Sequence, residues 1–316
     1  MTKKIIILAL ALAFGIALYC VADNLSQKDE NPPPAEESAL SADVNKVEIA
    51  PAIPAGIEPN SSAADQFHDK CARILNAYVK DNGCVDYSAL KRKKLELFLI
   101  LNEFDQLDPE VYNSWSEKDK IAFWINAYNI KMIHIITENY PIQSSRIFRL
   151  IWPPDSIRHI KGIWTDYKLI VMDEEFTLEA IDRQILRKQL KDPRIFLALT
   201  QASIFSPPMR KEPYRGQTLD AQLDSQVKNF LSQPHGFSID TANKIVYTSA
   251  LFDPTWYGQE FVKKFGIDRK FKDHLPVDRA VLNFISNYIQ PESVRFLELE
   301  NYQVKRIPYN WRLNEN

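Results

Sequence analysis

The stretch Ile121–Ile136, IAFWINAYNIKMIHII, decides how the rest of the chain is read. It sits inside a helical pattern running from about Glu117 to Asn139 and is apolar on nearly every face, so it belongs at the centre of a core. Three polar residues, Asn126, Tyr128 and Asn129, interrupt it. Buried without partners they would each destabilise the fold, so they must bond something. Either the two amides clamp neighbouring loop backbone, or they line a cleft and orient a ligand.

Other elements group around this helix. Phe67, Cys71, Ile74, Leu75 and Tyr78 recur at helical spacing, and Asn82-Gly83 turns the chain into Val85-Asp86-Tyr87. Further helices are predicted through Leu95 to Phe104, around Leu178, Ile181, Ile185 and Leu186, and around Val277, Val281, Phe284 and Tyr288. Strand candidates are Lys168 to Met172, RIFLAL at 194–199, Lys244 to Thr248 and Ser293 to Leu297. Helices and strands do not alternate regularly, which points to an α+β fold, a helix-rich single domain with a small sheet. In Phe252–Phe261, FDPTWYGQEF, Trp256 and Tyr257 begin a helix whose aromatics read as packing. Tyr309, Trp311 and Leu313 alternate in a final segment packed by one face onto the domain.

Ahead of the domain the composition changes. Lys3 and Lys4 precede an apolar run from Ile5 to Ala22, so residues 1–22 read as a signal peptide or a membrane anchor, and both cleavage after Ala22 and retention fit its length. A bulky Tyr19 before Cys20 is a poor lipoprotein context. Residues 23–62 are a Pro/Ala/Ser-rich linker that lacks the apolar content to order itself and, as a coil, would span roughly 35–40 Å. The globular domain is then 63–316, in an exported protein, periplasmic, secreted or tethered to the membrane through residues 5–22. An oxidising compartment permits a Cys71–Cys84 disulfide, and two unpaired thiols fit equally well.

The bulk numbers exclude some functions. With 316 residues, 45% of them hydrophobic and 25% charged, the chain can bury a large core. A formal net charge of -2 offers no overall attraction to nucleic acid or an anionic membrane, and Lys91-Arg92-Lys93-Lys94 reads as a solvated helix face. No His or Cys has metal-ligand spacing to another, and only 8 glycines include no phosphate-cradling loop, so no metal and no cofactor is expected. His68 and His274 fall in surface segments, His235 in a turn, His134 on the buried helix, and His159 in a loop able to approach a cleft.

Six phrases in order carry a resemblance: YVKDNGCVDYSAL at 78–90, IAFWINAYN at 121–129, LEAIDRQILR at 178–187, DPRIFLALTQAS at 192–203, Pro207-Pro208, and YNWRLN at 309–314. Together they resemble the domain-of-unknown-function family numbered 547, over roughly Phe67 to Asn314. That resemblance implies a cysteine-hydrolase-like site: a His within the segment RIFLAL, a Cys two residues after it, a second Cys before the prolines, and a carboxylate on the preceding helix. Here the carboxylate position holds Asp182, the His position Phe196, the nucleophile position Gln201 and the second Cys position Ser206. Gln has no proton to lose near neutral pH and Phe accepts none, so this set cannot run thiolate chemistry.

RIFLAL reads as a buried strand or helix start, TQAS as a sharp turn presenting a side chain, and SPP as a stop. The expectation is a binding or interaction domain for a peptide- or amide-bearing ligand or a partner protein, using Asn126, Tyr128, Asn129, Thr200, Gln201 and Ser203. Two rivals are a hydrolase rebuilt around Asp182 with Ser203, Ser206 or His159, and a structural part of an envelope assembly.

Overall fold

In the computed structural model the described residues are 61–144, 148–190, 192–254, 258–267 and 269–315. Residues 1–22, read above as a signal peptide or anchor, nearly all of the segment 23–62 read as a linker, and Trp256 and Tyr257 lie outside them. No helix among the described residues is long and apolar enough to cross a membrane.

The central apolar stretch forms α5, Glu117–Asn139, after α1 (Ser61–Tyr78), α2 (Tyr87–Arg92), α3 (Lys94–Asp105) and α4 (Pro109–Asn113). Ser116 caps α5 by accepting from the amide of Asp119, and nearly every residue between Ile121 and Thr137 is buried. Around it, Phe67, Phe104, Trp115 and Phe123 meet edge-on or tilted at 5–6 Å between ring centres. Next come β1 (Lys168–Val171) and β2 (Glu174–Thr177), an antiparallel hairpin, then α6 (Leu178–Ala180), which continues as a π-helix over Ile181–Leu190.

A second apolar cluster gathers C-terminal elements: α7 (Leu219–Ser232), β3 (Phe237–Asp240), β4 (Ile245–Ser249), α8 (Gln259–Phe265), α9 (Pro276–Ile285), α10 (Pro291–Leu297) and β5 (Gln303–Ile307). In its sheet β3 and β4 are antiparallel while β4 and β5 are parallel, joined through the intervening helices. The fold is therefore helix-rich α+β in a single domain, with two small sheets where one was expected.

Two strand assignments are corrected. RIFLAL holds a 3₁₀ turn at Ile195–Leu197. A threefold repeat suits its job, because Ile195, Ala198 and Leu199 enter the first apolar cluster while Phe196 and Leu197 enter the second. Ser293–Leu297 belongs to α10, where Pro291 opens the helix and Glu292 sits in its first turn.

The hairpin partner β2 carries no turn signal in the sequence, because Met172 and Asp173 both take left-handed backbone, φ 53° and 64°, in a two-residue turn without glycine. Cys71 and Cys84 are unpaired. Val79 pairs with Val85 and the Cys84 carbonyl accepts from Lys80, so the return strand meets only the end of α1. Cys71 lies further back, about 10 Å of helix before Tyr78, beyond disulfide reach.

Candidate functional site

The two amides of α5 clamp loop backbone. Asn129 donates to the Ala198 carbonyl and accepts from the Thr200 amide, both at 2.9 Å. Asn126 makes the same paired contact to Tyr214, donating to its carbonyl and accepting from its amide at 2.9 Å. The central helix thus holds the segment leading into the TQAS turn and the segment after the prolines.

Between those clamps the turn closes on itself. Ala202 is fully buried with φ 52°, a left-handed conformation that costs a non-glycine residue about 1–2 kcal/mol and persists only under surrounding constraint. Neighbouring hydroxyls supply part of that constraint. Ser206 Oγ accepts from the Gln201 amide at 2.9 Å and donates to the Pro207 carbonyl, while Thr200 Oγ1 accepts from the Ala202 amide at 3.0 Å. With its own proton committed, Ser206 receives the Thr200 hydroxyl at 3.1 Å.

The C-terminal strap Tyr309–Asn314 provides the rest. The Ile204 amide donates to the Arg312 carbonyl, and the Asn314 amide to the Ala202 carbonyl. Trp311 and Leu313 are buried as the alternation implied, and the Asn314 side chain accepts from the Tyr87 hydroxyl at 2.8 Å. Tyr309, treated in the sequence only as packing, is a member of the polar cluster. Its hydroxyl lies 2.7 Å from Ser203 Oγ and donates to Gln201 Oε1 at 3.4 Å, so Ser203 is the donor to Tyr309. Burial raises the Tyr309 phenol above its ordinary range, against the opposing pull of Ser203 and Ser206, so it remains protonated near neutral pH. Its position after a Pro and before Trp311 carried no signal of this role.

Of the four positions singled out by the resemblance, Ser206 has been placed in the turn and the other three make separate contacts. Asp182, near the start of the π-helix, forms a two-pronged pair with Arg187, Nε to Oδ1 and Nη2 to Oδ2 both at 2.7 Å. Phe196 packs edge-on against Phe252 and Phe261 and tilted against Phe284. Gln201 is buried, and its amide donates to its neighbour Leu199 at 3.0 Å. Tyr128 is buried beside Asp182; burial, then that carboxylate, raises its phenol, which Trp164 hydrogen-bonds.

Histidines fall elsewhere than the sequence suggested in one case. His68 is fully buried rather than on the surface, 3.2 Å from the Asn126 amide, because α1 packs that face onto α5. His159 Nε2 donates to the Pro153 carbonyl at 2.9 Å and its Nδ1 has no partner, so neither nitrogen reaches a serine. His235 stacks on Phe205 at 4.5 Å and hydrogen-bonds the Ser206 backbone, which places it at the rim of the same turn. Among the described residues no group of three or more His, Cys, Asp and Glu is arranged to hold a metal ion.

A shallow polar depression lies apart from the turn, on one face of α7, lined by Asp224, Lys228 and Asn229 among others. No curated protein and no solved structure matches the chain. The helix that clamps the turn, the turn itself and the prolines all fall within residues 112–231, which match the model of the family described as "Protein of unknown function, DUF547".

Proposed function

We propose that the chain is an exported, non-catalytic member of a hydrolase-like family that acts by binding a peptide- or amide-bearing ligand or partner. The observation that carries this reading is Gln201: at a tight, strained turn held by a helix on one side and a strap on the other, the group at the nucleophile position is a buried carboxamide whose partners are a carbonyl and a neutral phenol. A nucleophile needs a base within hydrogen-bond reach, and neither Ser203 nor Ser206 has a histidine or carboxylate on its hydroxyl. The rebuilt hydrolase is disfavoured on the same grounds, since Asp182 is taken by Arg187 and His159 by Pro153.

Carboxamides pair with peptide groups through one donor and one acceptor, so a modest opening of the Gln201–Tyr309 contact would offer both to a ligand. The test uses the purified chain with a thioester, p-nitrophenyl acetate and N-acetyl-dialanine amide. Expected are no turnover of any of them and NMR shifts at the Gln201 side-chain amide and Ser203 with the dipeptide amide. Turnover that Gln201→Ala abolishes would overturn the proposal, as would hydrolysis that survives in that variant but is lost in Ser203→Ala.

A further inference from the structure

Helix α3 carries an outward face that the core does not use. Leu95, Phe98 and Leu99 are 66%, 63% and 56% exposed, and Asn102 continues the same stripe. Their i, i+3, i+4 spacing puts three large apolar side chains on one side of one helix, whereas Leu97, Ile100 and Phe104 point into the core. A scattered exposed leucine needs no explanation; a contiguous row of this kind does.

The residues at the start of the row identify its partner. Arg92, Lys93 and Lys94 are exposed and Lys91 is half-buried, with its ammonium reaching the Glu138 carbonyl at the end of α5. The acids beside the row are engaged: Glu96 accepts from the Tyr78 hydroxyl at 2.6 Å and lies 3.7 Å from the Lys93 ammonium, an exposed pair that leaves Arg92 and Lys94 as the cations outside it, and Glu103 pairs with Lys70. The face therefore presents apolar side chains with a cationic cluster at one end and no acid in the stripe.

We infer that this face of α3, with Arg92, Lys93 and Lys94, docks the domain onto an anionic lipid surface. Large apolar side chains on a convex helix enter the headgroup boundary while flanking lysines and arginines keep their charges among lipid phosphates. The overall charge of -2 does not oppose this, because attraction to a charged surface acts within about a Debye length of the cluster. Docking here is independent of the ligand reading for the TQAS turn and of any insertion by residues 5–22.

The test keeps the whole chain and reads a local property, because an N-terminal apolar run can hold the chain on any bilayer. Hydrogen exchange over Tyr87–Asp105 is followed with vesicles of phosphatidylcholine alone and of phosphatidylcholine mixed with phosphatidylglycerol. Exchange should slow by about tenfold or more on the mixed vesicles only. The slowing should be lost in Phe98→Ser/Leu99→Ser, and weakened in high salt and in Lys93→Gln/Lys94→Gln, all surface changes the core does not feel. Equal exchange on the two vesicle types overturns the inference. So does protection that develops without vesicles as protein concentration rises, which would assign the face to a second copy of the chain.

Discussion

Replacing Asn129 with leucine should be among the most damaging single changes the domain can suffer. Leucine keeps the heavy-atom count and branching of asparagine, so the perturbation is chiefly polar. It removes the donor to the Ala198 carbonyl and the acceptor for the Thr200 amide, both at 2.9 Å and out of reach of water behind a side chain that is itself buried. Leaving a buried backbone group unpaired costs about 1–3 kcal/mol, so the two together should cost about 4 kcal/mol. In a domain of this size that is a fall in Tm of about 8–16 °C. Urea unfolding followed by circular dichroism, at unchanged m-value, measures it directly. Asn129→Ala should lose somewhat more, through the added cavity. A loss below about 1 kcal/mol for the leucine variant would mean that the turn finds other partners and that α5 does not hold it.

Further expectations can be checked on the same protein. Gly83, at φ 79°, packs so closely that an added Cβ would lie 2.5 Å from Pro208 Cβ, and Gly83→Ala should lower stability by about 2–4 kcal/mol in urea titration. Burial pushes the Cys71 thiol up to about 12, so iodoacetamide at pH 8 should leave it unmodified in the native state and label it in urea, and mass spectrometry without reductant should show no Cys71–Cys84 bridge. Burial, and secondarily Arg215, lowers His68 from 6.5 to about 4. The unfolded chain then binds a proton that the folded one refuses, so stability present above pH 6.5 is lost as pH falls toward 4, by up to about 3 kcal/mol. His134, lowered to about 4 mainly by burial, acts in the same direction, so His68→Gln should flatten the stability–pH slope in this window only in part.

Much of the fold was legible in the residues themselves. Periodicity located α1, α3, α5 and α9 because each has a long apolar repeat, and it located β1 and β4 because each is a short β-branched or aromatic run next to a turn. It failed where the pattern was too short to separate periods two, three and 3.6, as in RIFLAL and Ser293–Leu297. The amides of α5 were legible as an obligation: polar groups on an all-round apolar helix must be satisfied, and the sequence left open whether by backbone or by ligand.

What this sequence determined by itself is the central helix, the tight turn before Pro207-Pro208 and the need of Asn126 and Asn129 for partners, since these follow from side-chain chemistry and local spacing. Tertiary structure alone decided who the partners are. Ala198, Thr200 and Tyr214 lie about 70 to 90 positions from the amides they satisfy, and Tyr309 reaches Ser203 and Gln201 across more than 100. No local pattern encodes such pairings, because they are set by how two apolar clusters pack around one short segment, and packing is a property of the whole chain.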